Sequence, residues 1–104
     1  MTRLSILIPT LNSCEMLKNC LRSIEGFAPS MSYEIIIADN GSIDGTLEFL
    51  SQDYPHLTLI KFEKNEGFAK PVNQLLKAAQ GEFLVLVNPD TLLIEDVFSP
   101  QLDW

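Results

Sequence analysis

Asp39 is the first residue whose type and place indicate ligand chemistry. It follows the apolar run at 35–38 and begins the sequence Asp-Asn-Gly-Ser. Because an ionised carboxylate only accepts hydrogen bonds, Asp39 suits a ligand N–H, such as the imide of a uracil or thymine ring. The same four residues also form a turn readily without any ligand. The position directly after an apolar run favours binding over a turn alone.

Asp90 is the second such residue, and it suits a metal ion. It follows the apolar run at 83–87 and stands directly after Pro89, which stiffens the chain there. One or two carboxylates, together with substrate phosphates, usually hold Mg²⁺, and Mn²⁺ accepts the same oxygen ligands. Asp90 could instead form a turn or a helix cap before the apolar stretch at 92–94. Both interpretations stay open on local evidence.

Three further polar residues give weaker indications. Asn65 and Asn73 could line the same crevice as the aspartates, or could form ordinary turn and helix-surface hydrogen bonds. Lys70 stands near a predicted helix start, where it could approach a phosphate or remain in solvent. With only one histidine in the chain, a histidine-based metal site is excluded.

The elements that would position these residues alternate along the chain. Short apolar runs at 4–8, 33–38, 57–62 and 82–87 predict four strands. Most of these runs are nearly continuous, as expected of strands buried on both faces. Helical stretches between them predict strand–helix–strand crossovers, which are typical of a parallel sheet. The predicted fold class is therefore α/β.

Apolar residues at helical spacing predict which face of each helix is buried. These residues are Leu17, Cys20, Leu21 and Ile24 in the first helix, Ile43, Leu47 and Leu50 in the second, and Phe68, Val72, Leu75, Leu76 and Ala79 in the third. Ser42 or Asp44 is the expected cap of the second helix.

The polar residues all follow predicted strands. Thr10 and Asn12 follow the first strand, Asp39 follows the second, and Asp90 follows the fourth. In a parallel sheet these carboxyl ends lie along one edge, where open α/β sheets bind ligands. Residues far apart in sequence therefore converge on one crevice. No glycine follows the first strand, which excludes the dinucleotide fingerprint and the phosphate-binding P-loop.

Length and charge limit the class of protein. The chain has 104 residues, of which 46% are hydrophobic, as expected of one globular domain. Seven basic against fourteen acidic residues give a net charge of −7, which excludes nucleic acid as a partner. Neither a signal nor a membrane-spanning run is evident, and Cys14 and Cys20 are too far apart on a helix for a disulfide. We therefore expect a soluble, cytoplasmic protein.

Four segments resemble, in order and spacing, the motifs of family 2 glycosyltransferases. They read SILIPTLN at 5–12, IIADNGSIDGT at 36–46, NEGFA at 65–69 and VNPDT at 87–91. Together they extend over almost the whole chain. The Asn-Pro-Asp-Thr form is similar to members grouped with rhamnosyltransferases.

The resemblance implies a GT-A fold, a three-layer α/β/α arrangement around a mainly parallel sheet, which would end here after the fourth strand. It implies transfer of a sugar from a nucleotide-diphospho-sugar (UDP- or dTDP-sugar favoured) to a glycan or lipid-linked acceptor, with inversion, in cell-envelope polysaccharide or glycoconjugate synthesis. Asp39 would hold the base, and Asp90 would coordinate Mg²⁺ or Mn²⁺ on the diphosphate. The implied nucleotide-binding residues are Pro9, Thr10, Asn12, Asp39, Asn40, Ser42, Asn65, Gly67 and Asn73.

The chain departs from the family pattern in three places. The metal motif has one acid instead of two, and the bulky pair Lys70 and Pro71 replaces small residues before Asn73. Only residues 91–104 follow the metal motif, so the acceptor-binding part and the general base are expected to be absent. On this view residues 1–104 form one donor- and metal-binding domain, to which no catalytic residue is assigned. The parent protein would lie at most peripherally on the inner membrane face.

Two other classes of function compete with this interpretation. A non-catalytic nucleotide-binding or interaction domain could retain a degenerate GT-A scaffold, and the single acid at Asp90 favours it. A phospho-acceptor receiver domain shares the α/β plan but requires an acid pair after the first strand, where this chain has Thr10 and Asn12. Open sheet edges would also allow homo-oligomers to form by strand pairing.

Overall fold

The computed structural model describes residues 2–26 and 29–90, and within them strands and helices alternate as predicted. The elements are β1 (Leu4–Thr10), α1 (Cys14–Gly26), β2 (Tyr33–Asp39), α2 (Thr46–Asp53), β3 (Thr58–Lys61), α3 (Ala69–Ala78) and β4 (Phe83–Leu86). Residues 91–104, including the apolar stretch at 92–94, lie outside the described residues.

The strands form one parallel sheet in the order β3-β2-β1-β4. The two long strands β1 and β2 lie at its centre and pair along their whole length, so that Thr10 stands opposite Asp39. The chain therefore brings its first and second strand ends together at the middle of one sheet edge. The predicted parallel α/β sheet is confirmed.

Helices cover both faces of the central strands. On one face, Leu17, Leu21 and Ile24 of α1 pack with Ile6 and Ile8 of β1, and α2 adds Phe49 and Leu50 to the same cluster. On the other face, Leu75 of α3 packs with Leu7, Ile36 and Ala38. Burial on both faces explains why the runs of β1 and β2 are continuously apolar.

The predicted inner faces of α2 and α3 were partly wrong. Ile43 is 91% exposed and Phe68 is 67% exposed, whereas Phe49 and Pro71 are buried. The reason is where the helices begin: α2 starts at Thr46 and α3 at Ala69, so Ile43 and Phe68 precede them. A helical spacing that is extended to residues before the helix start assigns those residues wrongly to the core. Leu76 of α3 was also predicted on the inner face and is 46% exposed.

The cap of α2 also differs from the prediction. Gly45 occupies the cap position with φ of 95°, and Asp44 lies one residue earlier. The Asp44 carboxylate still accepts a hydrogen bond from the Thr46 backbone N–H at 3.2 Å. It therefore stabilises the first turn of α2 from outside the cap position.

A buried polar network fixes the connection between α3 and β4 at the opposite sheet edge. The Ser5 hydroxyl donates to Glu34 Oε2 at 2.6 Å and accepts from the Gly81 N–H at 2.8 Å. A Cβ at position 81 would lie 2.7 Å from the Ser5 backbone nitrogen, so only glycine fits without a shift. This network sets where β4 enters the sheet, and hence where residues 87–90 leave it.

None of the helices within residues 2–26 and 29–90 is long and apolar enough to cross a membrane.

Candidate functional site

Thr10 and Asp39 form the centre of the candidate site. They are register partners at the carboxyl ends of β1 and β2, and their residues are 4% and 0% exposed. Among the described residues, Thr10 Oγ1 and Asp39 Oδ1 are the buried side-chain atoms without a hydrogen-bond partner. A buried polar group without a partner costs about 1–3 kcal/mol. Two such atoms on paired residues leave one acceptor and one hydroxyl available for hydrogen bonds to a bound molecule.

A tight turn after β2 holds the Asp39 carboxylate. Its Oδ2 atom accepts a hydrogen bond from the Ser42 backbone N–H at 3.0 Å. Gly41 allows this turn with φ of 90°, and a Cβ there would lie 2.8 Å from the Lys64 backbone. One carboxylate oxygen is therefore fixed by the turn, and Oδ1 remains for another donor.

The loops after β1 and β2 are joined by reciprocal hydrogen bonds. The Asn12 N–H donates to Ser42 Oγ, and the Ile43 N–H donates to Asn12 Oδ1, both at 2.8 Å. The Cys14 N–H at the start of α1 donates to Asp44 Oδ2 at 3.0 Å. Asn12 has a left-handed φ of 48°, a conformation that asparagine tolerates better than most residues. The side chains of Asn12 and Ser42 therefore join the two loops to each other.

Asp44 is held chiefly by a hydroxyl. Thr46 Oγ1 donates to Asp44 Oδ1 at 2.5 Å, and this bond is the main cause that lowers the pKa of Asp44 below its usual 3.8. Backbone N–H donors from Cys14 and Thr46 lower it further. The negative charge of Asp44 therefore helps to hold the two loops together.

Asn40 connects β2 to the segment before α3. Its Nδ2 donates to Asn65 Oδ1 at 2.9 Å and to the Gly67 carbonyl at 3.0 Å. Its Oδ1 accepts from the Glu66 N–H at 2.8 Å. The Asn40 backbone N–H donates to the Thr10 carbonyl at 2.9 Å. One residue thus links both central strands to residues 65–67.

A cleft of about 360 Å³ opens at this carboxyl edge. It is lined by Pro9, Thr10, Leu11, Ser13, Asn40, Asn65, Gly67, Phe68, Pro71, Asn88 and Pro89. Five predicted nucleotide-binding residues are therefore brought together: Pro9, Thr10, Asn40, Asn65 and Gly67. Asp39 lies buried beside this lining as the partner of Thr10. Asn12, Ser42 and Asn73 are not among the lining residues, and Asn73 is exposed on α3.

Several lining residues were not predicted from the sequence. Phe68 was assigned to the core, although its place directly after Gly67 and before the helix could have indicated an exposed position. Leu11 and Ser13 neighbour the predicted residues of the first loop, and Asn88 and Pro89 precede Asp90. These four residues could have been predicted because they adjoin predicted site residues in the loops after β1 and β4.

Asp90 lies at the end of the described chain, next to this cleft. Cys20 of α1 lies within 3.9 Å of the Asn88 carbonyl, measured from its sulfur. Burial, together with the nearby negative charge of Asp90, raises the pKa of the Cys20 thiol to about 11. Asp90 is itself exposed. Its carboxylate is thus available near the lining residues that precede it.

The donor set around Asp90 fits a metal that is shared with a ligand. Within residues 2–26 and 29–90, no group of three or more histidine, cysteine or acidic residues is arranged to hold a metal ion. Mg²⁺ commonly takes only one or two protein carboxylates and completes its shell with water and substrate phosphates. An isolated exposed carboxylate beside a cleft matches this arrangement, in which water and substrate phosphates supply the other metal ligands.

A larger cavity of about 550 Å³ lies at the opposite, amino-terminal end of the strands. Its lining includes Glu25 and Tyr54, whose hydroxyl donates to the Glu25 carboxylate. Burial, with help from Glu25, raises the pKa of Tyr54 to about 12. None of the unpartnered buried atoms of the described residues lies on it. The cleft at the carboxyl edge is therefore the candidate site.

The chain is a parallel α/β domain whose candidate ligand cleft lies at the carboxyl edge of the sheet. The model of Glycosyl transferase family 2 matches residues 5–104, and the chain belongs to this family. The resemblance inferred from the four sequence motifs is thereby confirmed.

Two relatives with similar sequences are named as transferases of sugars. The chain is 37% identical to the uncharacterized glycosyltransferase YfnE of Bacillus subtilis, over 94% of this chain and 26% of that protein. It is 33% identical to the poly(ribitol-phosphate) beta-N-acetylglucosaminyltransferase TarS of Staphylococcus aureus, over 95% of this chain and 18% of that protein. The chain thus spans about a quarter or less of the length of these relatives.

Solved structures confirm the GT-A fold. S. aureus TarS 1-349 in complex with UDP superposes with a TM-score of 0.81 and 29% identity, over 98% of this chain and 30% of that chain. The mannosyltransferase PcManGT from Pyrobaculum calidifontis, in complex with GDP-Man and Mn²⁺, gives a TM-score of 0.79 and 27% identity, over 90% of this chain and 29% of that chain.

Proposed function

We propose that this chain forms the donor-binding part of a glycosyltransferase, which transfers a sugar from a nucleotide-diphospho-sugar to an acceptor. The observation that carries the proposal is the pair of unpartnered buried oxygens, Thr10 Oγ1 and Asp39 Oδ1, beside the cleft. The UDP complex of TarS and the GDP-Man complex of PcManGT, both similar in fold, support it.

The chemistry of the two oxygens favours a uracil or thymine base. Asp39 Oδ1 accepts a ring N–H, and the Thr10 hydroxyl donates to a neighbouring ring carbonyl. Uracil and thymine present such an N–H between two carbonyls, so UDP- or dTDP-sugars are the proposed donors. Guanine also presents a ring N–H, and GDP is therefore the competing nucleotide in the test.

The diphosphate would lie towards Asn88 and Asp90. Asp90 would hold Mg²⁺ or Mn²⁺ jointly with the phosphate oxygens, as its isolated carboxylate allows. When bound, such a metal stabilises the negative charge that develops on the leaving nucleoside diphosphate. The metal's positive charge is needed because the chain, with a net charge of −7, supplies few cations of its own to a diphosphate. The chain's own residues would bind and orient the donor.

The acceptor and the catalytic base are not assigned to residues of this chain. A glycan or lipid-linked acceptor in cell-envelope synthesis is proposed from the similarity to TarS, which is named a poly(ribitol-phosphate) beta-N-acetylglucosaminyltransferase. The second candidate is a nucleotide-binding or interaction domain without catalysis, which the single acid at Asp90 favours. Homo-oligomerisation through the sheet edges and the absence of nucleic-acid binding remain predictions.

Thermal unfolding in the presence of nucleotides tests the proposal. UDP, dTDP and GDP are each added with and without Mn²⁺ to the wild type and to Asp90→Ala. A ligand at about 100 times its Kd adds roughly 2.7 kcal/mol, which raises Tm by several degrees in a chain of this size. A shift that needs both the metal and Asp90 supports donor binding. A cooperatively unfolding wild type with no shift from any nucleotide contradicts it.

A further inference from the structure

We propose that Asn40 is a positioning residue: it fixes the wall of the cleft formed by residues 65–67, and through that wall it sets the affinity for the ligand. This inference rests on the proposed function for the identity of the ligand. Asn40 lines the cleft, but its side chain is committed to the protein. Both of its N–H donors and one acceptor position are used by residues 65–67.

The wall held by Asn40 has no regular structure of its own. It lies between β3, which ends at Lys61, and α3, which begins at Ala69. Gly67 has a left-handed φ of 84°, and its N–H donates to Asn65 Oδ1 at 2.9 Å. Asn65 Oδ1 therefore accepts from both Asn40 and Gly67. The shape of the wall depends on this small network, with Asn40 as its anchor on the sheet.

The anchor is rigid because Asn40 directly follows β2. Its residue is 8% exposed, and its backbone N–H is bonded to the Thr10 carbonyl. The neighbouring Gly41 approaches the Lys64 backbone so closely that a Cβ would lie 2.8 Å away. Through Asn40, the position of the wall is tied to the strand ends that carry Thr10 and Asp39.

The chemistry of asparagine is needed at this position. Aspartate has the same shape but no N–H, so Asn40→Asp places a carboxylate oxygen against Asn65 Oδ1 and the Gly67 carbonyl. Alanine removes all three hydrogen bonds. We expect both variants to release the wall while leaving β1 and β2 paired, because the strand pairing is made by backbone groups.

Amide hydrogen exchange tests the first half of the proposal without any ligand. In the wild type, the Glu66 and Gly67 amides should be protected. This protection should fall at least tenfold at both amides in Asn40→Ala, and at Gly67 in Asn40→Asp, whose carboxylate still accepts from the Glu66 N–H. The Asn40 amide, which is bonded to Thr10, should remain protected in both variants. The matched controls Asn19→Ala and Asn19→Asp change an exposed asparagine of α1 and should leave all three amides unchanged. Unchanged exchange at Glu66 in Asn40→Ala would overturn the proposal.

Calorimetric titration with UDP and Mn²⁺, below the unfolding transition of every variant, tests the second half. Asn40→Ala, Asn40→Asp and Asn65→Ala should each bind at least tenfold more weakly than the wild type. The double variant of Asn40→Ala and Asn65→Ala should bind no more weakly than either single variant, because both act through one wall. Additive losses, or an unchanged affinity, would refute this role. A wild type that binds no nucleotide refutes the proposed function and this second half, while exchange still decides the first.

Discussion

Thr10 and Asp39 stand opposite each other at the ends of two neighbouring parallel strands, and each carries a buried oxygen without a hydrogen-bond partner. Burying these two oxygens on folding costs free energy, because each loses its hydrogen bonds to water and gains no partner in the protein. The turn through Ser42 holds the other oxygen of Asp39 in place. The fold alone therefore fixes the position of the Asp39 carboxylate in the candidate site.

Replacing Asp39 by Asn should weaken nucleotide binding with little loss of stability. Asparagine can keep its oxygen towards the Ser42 N–H, and it then presents an N–H₂ donor where Asp39 Oδ1 now stands. A base N–H would meet this donor, and affinity should fall about 10- to 100-fold, from a penalty of about 1–3 kcal/mol. Calorimetry with UDP and Mn²⁺ measures the loss. Asp53→Asn on the exposed end of α2 is the control, and equal effects of the two changes would contradict the assignment.

Replacing Thr10 by Val should stabilise the free protein and weaken nucleotide binding. The change removes a buried hydroxyl that has no partner and keeps nearly the same shape. Stability in urea should rise by about 1 kcal/mol, because an unpaired buried hydroxyl is costly. UDP affinity should fall in the same variant. A variant that is less stable than the wild type would show that the hydroxyl has a partner in solution.

Replacing Gly81 by Ala should destabilise the fold. The new Cβ would lie 2.7 Å from the Ser5 nitrogen, which belongs to the central strand and cannot move freely. Overpacking of this kind costs about 1–3 kcal/mol, measured by urea unfolding. Gly26→Ala is the matched control, since no atom of residues 2–26 and 29–90 lies within 4 Å of a Cβ there. That control should leave stability unchanged or raise it slightly, because glycine is a poor helix former.

The charge of Asp44 should make stability depend on pH in the acid range. Its pKa in the folded chain is lowered from 3.8, chiefly by the Thr46 hydroxyl, so folding favours the ionised form. The stabilisation is present above about pH 4 and is lost as the pH falls through the lowered pKa of the folded state. Urea unfolding of the wild type and Asp44→Ala from pH 2 to 7 should give curves that differ at neutral pH and converge in acid. Parallel curves would exclude this role.

The fold and the centre of the site follow from local patterns in the sequence. The continuous apolar runs predicted β1 and β2, and the rule for parallel strand ends predicted that Thr10 and Asp39 would meet. The roles of Asn12, Asn40 and Ser42 did not follow, because their hydrogen-bond partners lie 25 to 31 residues away. A polar residue after a strand is equally consistent with holding a ligand or holding another loop.

The position of Phe68 shows a second limit of the sequence. Its spacing to Val72 and Leu75 is helical, but α3 begins one residue later and leaves the ring 67% exposed at the cleft. Caps and packing determine the residue at which a helix starts. The periodicity of the sequence locates that residue poorly. Asp90 stays a predicted metal ligand for a related reason: the phosphates that would complete its coordination belong to the ligand.

The role of Asp39 in holding the base is tested by comparing UDP with UDP methylated on the uracil N3 atom, by calorimetry with Mn²⁺. Methylation removes the N–H that Asp39 Oδ1 is proposed to accept and leaves the diphosphate and the metal contacts intact. We predict that UDP binds and that the methylated nucleotide binds at least tenfold more weakly, a difference that disappears in Asp39→Asn. Equal binding of both nucleotides by the wild type would contradict the assignment of Asp39 as the residue that holds the base.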